Sequence, residues 1–312
     1  MNLDQLKKVR TIISHDNCAD GTVAALFLKD ALPEAEVQFV QHGTDAYQNL
    51  PATEGMLFCD IAPPAERVQE FVAAGAIVLD HHKTARSVVE AFGNNGIFAD
   101  EATEPGVSGA VLAYHHVWMP LMGKLVDSKV SIWAEGFVRL TGIRDTWQNK
   151  HPRWADACQQ AHLMHFMAPT EWLKWPLERL AYGWQDNFHW VGSVLSQRHT
   201  KSVAKLVRKA GSYTSAKGTR IFVFNSISHT SGAAETLGDK TDVVVGFSYE
   251  VENEEQKLIL STRSHTNFDC SAFTRKFGGG GHTRAAGVAV KVVEGESPYR
   301  TIIRLIDQYE AT

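Results

Sequence analysis

The sequence is poor in cysteine, has no long apolar run and carries no excess of positive charge, and each absence excludes a class of protein. The four cysteines show no Cys-x-x-Cys spacing, which argues against a structural zinc site and for reduced thiols in a cytoplasm. No run reaches the roughly 18 apolar residues of a membrane span, and the first residues lack the apolar core of a secretory signal. We therefore expect a cytoplasmic protein without a membrane partner.

The net charge of -4 on 312 residues gives no sign of the basic surface that binds long duplex nucleic acid. This net charge is compatible with a small anionic substrate, because a metal ion and a few arginines can hold a phosphate locally. Hydrophobic residues make up 44% of the chain and charged residues 21%, which is ordinary for a globular protein. The length favours two domains over one.

The first hundred residues alternate between the patterns of strands and helices. Buried strands are predicted at 10–14, 35–41, 55–63 and 76–82, and helices at 22–32 and 65–75. Short helices between strands indicate a parallel, doubly wound α/β sheet.

The rest of the chain changes pattern twice. Residues 106–190 are predicted to be mostly helical and contain all eight tryptophans, which we assign to core packing. The polar and basic segment 193–219 is expected to be a linker. Beyond it, four strand patterns and two helical patterns predict a smaller α+β domain. The predicted domains are therefore 1–192 and 220–312.

Acidic and imidazole side chains recur where the predicted strands end. Residues 15–20 follow the first strand, Asp60 ends the third, and Asp80, His81 and His82 end the fourth. Ligands of open α/β sheets bind at the carboxyl ends of strands, and Asp145 joins the set from a helical segment. A lone Asp there is usually a cap or loop residue, but an Asp-His-His run at a sheet edge indicates a metal or acid–base site. Such donors suit Mn²⁺, Mg²⁺ or Zn²⁺.

A glycine-rich stretch stands near the other end of the chain. Four consecutive glycines, Gly278–Gly281, are followed by His282 and Arg284. Glycines let a backbone approach a ligand closely and present its amides. A flexible linker is the alternative, but the run lies between an amphipathic segment and a strand. With Arg263 at an upstream strand end, it predicts a site for a phosphate or nucleotide.

Together these motifs resemble the DHH phosphoesterase superfamily, in particular its DHH–DHHA1 branch. The stretches that carry the resemblance are "SHDNCADG", "LFCDIAP", "VLDHHKTA", "GIRDTW" and "RKFGGGGHTRAAG", with "STRS" where the branch has an Arg-Ser pair. The resemblance covers nearly the whole chain. It implies a DHH domain with a helical extension that holds two divalent cations, usually Mn²⁺, and a DHHA1 domain that grips the substrate.

The resemblance also implies roles for individual residues. The metal ligands would be His15, Cys18, Asp20, Asp60, His81 and Asp145, with Asp60 bridging the two cations. His82 would face the scissile phosphate as a proton donor or charge stabiliser, and Asp80 would support the histidines. A terminal phosphate or nucleotide would be bound by Arg263, Ser264, Gly279, Gly280, Gly281, His282 and Arg284.

The opening motif departs from the family pattern, which has a histidine, an aspartate four residues on, and a second aspartate after one more residue. With Asp20 as the last acid, Cys18 stands at the first acid and Ser14 at the histidine, so that His15 is one residue late. His15, Cys18 as a thiolate, or Asp16 could complete the second metal site. A thiolate favours softer ions such as Zn²⁺. Mn²⁺ is the expected metal, and Mg²⁺, Co²⁺ and Zn²⁺ are the alternatives.

The activity predicted from this resemblance is metal-dependent hydrolysis of short linear oligonucleotides or dinucleotides to mononucleotides. Relatives also include cyclic-dinucleotide hydrolases and adenosine bisphosphate phosphatases, and motifs do not separate these activities. A binding protein with a decayed metal site, suggested by Cys18, is the alternative from another class. A homodimer that uses the Trp-rich helical region is a further expectation.

Overall fold

The first half of the chain forms a parallel sheet from short apolar strands. The computed structural model describes residues 2–184, 188–252 and 255–311. The strands are β1 (Thr11–His15), β2 (Glu36–Val40), β3 (Met56–Cys59), β4 (Ile77–Asp80) and β5 (Gly96–Phe98), in the order β2-β1-β3-β4-β5. Every neighbouring pair is parallel. Ile12 belongs to one apolar core and Ile13 to another, because both faces of the sheet are covered.

Helices supply the residues that cover these two faces. They are α1 (Leu3–Leu6), α2 (Ala19–Ala31), α3 (Asp45–Gln48), α4 (Val68–Ala73), α5 (Arg86–Glu90), α6 (Gly109–Ala113), α7 (Met119–Met122), α8 (Ser128–Asp145), α9 (Trp154–Met164), α10 (Pro169–Trp172), α11 (Leu177–Gly183) and α12 (His189–Val207). A π-helical segment, Tyr114–Trp118, joins α6 to α7. Phe27 of α2 packs in the core of Ile12, and Phe71 of α4 in that of Ile13.

The second unit is a mixed sheet with helices. Its strands are β6 (Gly211–Thr214), β7 (Arg220–Phe224), β8 (Val243–Glu252), β9 (Glu255–Arg263), β10 (Gly280–His282) and β11 (Ala285–Lys291), in the order β10-β11-β9-β8-β7-β6. The β7–β8 pair is parallel and the other pairs are antiparallel. Helices α13 (Thr230–Leu237), α14 (Cys270–Arg275) and α15 (Pro298–Glu310) complete this unit.

The predicted fold class, a parallel α/β domain followed by a smaller α+β domain, is confirmed. The chain divides into Met1–Ser196 and Gln197–Thr312, a division inside α12 that lies close to the predicted end of the first domain at residue 192. Residues 193–219 are therefore not simply a linker, because they include most of α12 and all of β6, which pairs with β7. Strands β5, β6 and β10 were missed because each begins with glycine and has at most two apolar residues, unlike the equally short but apolar β3 and β4.

The assignment of the tryptophans to the core holds for Trp118 and Trp172, which are fully buried, but not for Trp190, which is 68% exposed. None of the helices in the described part of the chain combines the length and apolar character needed to cross a bilayer.

Candidate metal centre

The carboxyl ends of three neighbouring strands bring the predicted ligands together. His15 is the last residue of β1, Asp60 directly follows β3, and Asp80 is the last residue of β4. Strand β1 lies between β2 and β3 in the sheet, so the sheet grows from β1 to one side with β2 and to the other side with β3. The order of the strands reverses at this point. Ligands of open parallel sheets bind at such a switch point, and the polar residues therefore lie where a ligand is expected.

Asp60 occupies this position in a conformation that few residues adopt. Its φ is +63°, and its side chain is 1% exposed. A non-glycine residue in the left-handed region costs free energy and is often kept for function. Gly109 makes room for it, because a Cβ atom on Gly109 would lie 2.4 Å from the Cβ of Asp60.

Six side chains offer two groups of ligand atoms. The first group is His15, Cys18 and Asp60; the second is Asp20, His81 and Asp145; the atoms within each group lie within 4.8 Å of one another. His81 Nε2 lies 3.1 Å from Asp60 Oδ1 and 3.5 Å from Asp145 Oδ2. Asp60 thus faces both groups, with Oδ1 towards His81 and Oδ2 3.7 Å from Nδ1 of His15.

The polar atoms of these groups fit a divalent cation. His15 Nδ1, Asp60 Oδ2 and Asp145 Oδ2 are buried and have no hydrogen-bond partner among the described residues. A buried polar atom left unpaired costs about 1–3 kcal/mol, and a cation would satisfy these lone pairs. Asp145 also ends α8, where the helix dipole disfavours a carboxylate. A positive charge in this place would offset both costs.

The ionisation of the two histidines shows how negative the site is. Burial by itself lowers the pKa of His81, but the hydrogen bond to Asp60 and the charges of Asp145, Asp60 and Asp20 raise it to about 10. Burial also lowers the pKa of His15, but the nearby carboxylate of Asp60 outweighs burial and raises that pKa. For Asp60, burial raises the pKa, but the nearby ring of His15 and the hydrogen bond from His81 hold that pKa well below its usual range.

Asp20 is positioned by contacts that its own sequence neighbourhood does not reveal. Its Oδ1 accepts hydrogen bonds from Ser108 Oγ (2.7 Å) and the Ala110 amide (2.9 Å), and its Oδ2 accepts one from the Gly109 amide (2.6 Å). Burial, with the charges of Asp60 and Asp145, raises the pKa of Asp20 well above its usual range. The carboxylate is therefore held firmly beside like charges, an arrangement that a bound cation would stabilise.

The structure gives different surroundings to the candidate residues of the opening motif. Ser14 is buried, and its Oγ donates to the carbonyl oxygens of Gly21 (2.8 Å) and Cys59 (3.2 Å), so it has a structural role. His15 and Cys18 lie in the first ligand group, and Asp16 lies in neither. Burial, followed by the charges of Asp60, Asp145 and Asp20, raises the pKa of the Cys18 thiol well above its usual value. Ligation by Cys18 thus requires a cation to displace its proton.

Two further histidines stand beside these groups. His82 Nδ1 lies 2.7 Å from Asp80 Oδ1, so the predicted pairing of Asp80 with a histidine is present. His42 was not predicted, although it follows β2 and the rule on strand ends could have found it. Its ring lies 5.8 Å from that of His15 and 4.9 Å from that of Tyr47. Desolvation, with the charges of His15 and His82, lowers the pKa of His42 to about 4.

The predicted substrate residues of the second unit lie at neighbouring strand ends. His282 of β10 pairs with Ala285 of β11, which pairs with Arg263 of β9. The Arg263 Nε donates to Ser231 Oγ at 2.9 Å. Gly280 and Gly281 belong to β10, so the glycine-rich stretch is partly a strand. Ser264 is 2% exposed, and its Oγ accepts from the Thr266 amide, so it supports the local turn.

These features define a parallel α/β unit with a histidine–carboxylate centre, followed by a mixed-sheet unit. No family model and no curated protein sequence matches the chain. Among solved structures, a DHH domain from a protein described as a member of a family of ribosomal proteins matches with a TM-score of 0.62 and 13% identity, over 98% of this chain and 87% of that chain.

RecJ from Thermus thermophilus, in complex with Mn²⁺, matches with a TM-score of 0.53 and 15% identity, over 99% of this chain and 53% of RecJ. The chain thus spans about half the length of that protein. It has the fold of the DHH superfamily, as the sequence predicted.

Proposed function

We propose that this protein is a metal-dependent phosphodiesterase that hydrolyses short linear oligonucleotides or dinucleotides to mononucleotides. The observation that carries the proposal is the pair of ligand groups that meet at Asp60, one with His15 and Cys18 and the other close to His81. A carboxylate placed between two sets of donors is the arrangement that a two-cation phosphoesterase needs.

The residues divide into two sites for the cations. His15, Cys18 and Asp60 would hold one, while Asp20, His81 and Asp145 would hold the other, with Asp60 as the shared ligand. When bound, divalent cations neutralise charge on the phosphate and make a water molecule acidic enough to supply the nucleophile. The oxygen and nitrogen donors suit Mn²⁺, the ion we propose, and the sulfur of Cys18 shifts the preference towards Zn²⁺.

His82 supplies the proton chemistry in this proposal. Asp80 Oδ1 accepts from the His82 backbone amide at 2.9 Å and faces its Nδ1 at 2.7 Å. An ionised carboxylate at Nδ1 orients the ring and turns the second ring nitrogen, Nε2, away from Asp80. Nε2 is then the atom through which His82 delivers a proton to the leaving oxygen of the diester.

Two observations support a short substrate. The net charge of -4 does not suit the basic groove that tracks a long single strand. Arg263 and His282 lie on the two strands that flank β11, both level with Ala285, where a cationic side chain can bind a terminal phosphate.

The test is a comparison of substrates on purified protein that has been stripped of metal and reloaded with Mn²⁺, Mg²⁺, Co²⁺ or Zn²⁺. Linear pGpG and pApA, their cyclic forms and adenosine 3',5'-bisphosphate are incubated separately, and the products are resolved by anion exchange. We expect mononucleotides to accumulate fastest from the linear dinucleotides. Faster turnover of a cyclic form, or of the bisphosphate, would replace the proposal with the corresponding activity.

Variants connect the activity to the centre. Asp60→Ala should remove bound metal and activity together, whereas His82→Ala should remove activity and leave the metal content unchanged. His115→Ala is the matched control, because His115 is an exposed histidine outside both ligand groups. If no substrate is hydrolysed with any metal, the protein is better described as a binding protein.

A further inference from the structure

A cavity of about 440 Å³ opens beside the candidate metal centre, within the first unit. One wall is the turn 16–18 after β1, and the other is the segment 164–169 that joins α9 to α10. The volume falls within the range of about 300–1,000 Å³ that is typical of small-molecule sites. Cys18 lines the cavity, and its Sγ lies within 4.8 Å of ligand atoms of His15 and Asp60. A group bound here would therefore lie directly beside the candidate cation sites.

The wall formed by residues 164–169, which includes His165, presents an aromatic side chain on a well-held backbone. Phe166 lines the cavity together with Met164 and Met167 and is 61% exposed. A single exposed apolar residue is ordinary by itself. Here, however, the Phe166 amide donates to the Leu163 carbonyl at 2.9 Å, and the buried Trp172 donates through Nε1 to the Met164 carbonyl at 2.9 Å. The exposed ring is thus displayed at the cavity by an ordered turn.

The opposite wall is polar. Asp16, Asn17 and Thr22 line it, and the turn is held by the Asp16 amide, which donates to the Val40 carbonyl at 2.9 Å. Asn17 adopts a φ of +51°, a conformation that asparagine tolerates better than most residues. Asp16 Oδ1 accepts from the Asn17 backbone amide at 2.8 Å, and Asp16 Oδ2 accepts from Asn17 Nδ2 at 3.4 Å. An acceptor and an amide side chain therefore face an aromatic residue across one cavity.

We infer that this cavity binds a nucleobase of the substrate, with Phe166 stacking on the base and Asp16 and Asn17 facing its polar edge. The inference rests on the proposed phosphodiesterase function and names the part of the substrate that this unit reads. A nucleobase has two apolar faces and a rim of donors and acceptors, which matches the two walls. A phosphate has no apolar face for an aromatic side chain to stack on, and ribose offers a smaller and non-planar one, so a nucleobase makes the largest stacking contact.

The polar wall also indicates which base is preferred. An ionised carboxylate only accepts hydrogen bonds. Guanine presents two adjacent donors, N1–H and the N2 amino group, whereas uracil presents one N–H between two carbonyl oxygens that a carboxylate repels. The cavity therefore selects guanine over uracil, and Asp16 is the residue that decides the choice.

Nucleoside binding tests the cavity independently of catalysis. The full chain, stripped of metal, is dialysed against guanosine, uridine or ribose. We expect guanosine to bind at least about 10-fold more tightly than ribose, given the usual strength of base–aromatic stacking. Phe166→Ala should abolish that difference and Phe166→Tyr should retain it. Ile132→Ala is the control, because Ile132 is 73% exposed and does not line the cavity.

A second measurement uses the reaction. The ratio of kcat/KM for GpG to that for the same diester without its bases should fall about 10-fold in Phe166→Ala. The preference for guanine over uracil should narrow in Asp16→Asn. Equal binding of guanosine and ribose by the wild type, or a Phe166→Ala protein with wild-type ratios, would overturn the inference. The protein could bind guanosine in a way that depends on Phe166 and yet hydrolyse no diester. That result would support the nucleobase site and refute the proposed phosphodiesterase activity.

Discussion

The Nδ1 atom of His82 lies 2.7 Å from Oδ1 of Asp80, and both residues lie where β4 ends. Asp80 is 1% exposed. Burial raises its pKa, but the charge of His82 and its hydrogen bonds outweigh burial and lower the pKa below the usual range. The carboxylate therefore stays ionised and holds the ring in one orientation.

Removal of the Asp80 charge should slow the reaction and leave metal binding unchanged. Asp80→Asn keeps the size of the side chain but removes the charge that orients the ring of His82 through Nδ1. We expect kcat to fall by about 100-fold, which is within the usual contribution of a positioned acid or base, at unchanged metal content by elemental analysis. Asp100→Asn is the control, because Asp100 is also buried but accepts hydrogen bonds in a separate turn. Loss of metal in Asp80→Asn would contradict the role given to Asp80.

The close approach of Gly109 to Asp60 predicts that a side chain added at Gly109 alters the centre by displacing Asp60. In Gly109→Ala the new Cβ would lie 2.4 Å from the Asp60 Cβ, so Asp60 must move. We expect weaker metal binding and a loss of activity on the order of 10- to 100-fold, since small displacements of reacting groups are costly. Titration with Mn²⁺ and steady-state rates measure the two effects.

A matched glycine supplies the control for that variant. Gly136 lies within α8, and a Cβ there would meet no heavy atom of the described residues within 4 Å apart from the backbone of its own helix. Gly136→Ala should keep wild-type activity and stabilise the helix by up to about 1 kcal/mol, because alanine is the better helix former. If both variants behave alike, the close approach of Gly109 to Asp60 does not position the centre.

Cys18 should set the preference between metal ions. Cys18→Asp replaces a soft sulfur ligand with a hard oxygen ligand, so the affinity for Zn²⁺ relative to Mn²⁺ should fall. Because the pKa of the Cys18 thiol is raised, the wild type should also release more protons than the variant on binding metal. Calorimetry in buffers of different ionisation enthalpy measures both quantities. Cys158→Ser is the control, and an unchanged Zn²⁺ to Mn²⁺ ratio in Cys18→Asp would place the thiol outside the ligand set.

An ion pair in the second unit predicts how stability depends on pH. Arg220 contacts both carboxylate oxygens of Asp242, at 2.8 and 3.0 Å, and its side-chain hydrogen bonds lower the pKa of Asp242 below the usual 3.8. A carboxyl group with a lowered pKa stabilises the fold above its unfolded value and loses that effect as the pH falls.

Thermal unfolding of Asp242→Asn checks this pH dependence. The variant should melt below the wild type at pH 7, and the gap should close as the pH falls through and below 3.8. Glu255→Gln, in the more exposed pair with Lys291, should show little effect at any pH, as expected for a surface ion pair. A gap that persists at low pH would mean that Asp242 stabilises the fold through packing instead of charge.

The predicted strands indicated from the sequence alone where most residues of the centre lie. Polar residues after β1, β3 and β4 had to meet, because the carboxyl ends of parallel strands lie at one edge of a sheet. His42, after β2, obeys the same rule and was overlooked because a lone histidine in a polar segment carries no pattern. Strands β5, β6 and β10 were missed because they begin with glycine and lack the apolar run that marks the equally short β3 and β4.

The contacts that hold the centre in place could not be obtained from the sequence. Ser108, Gly109 and Ala110 bind the carboxylate of Asp20 across 88 to 90 residues of chain, and no local pattern records so distant a partner. The choice among His15, Asp16 and Cys18 depends on the turn after β1, and the cavity beside Cys18 depends on a segment about 150 residues further on. Hydrophobic spacing and strand ends are local properties, so the sequence by itself determined the fold class and the edge of the sheet that carries the polar residues. Which atoms face one another there was decided only by tertiary packing, because it brings α6, α8 and the 164–169 turn against that edge.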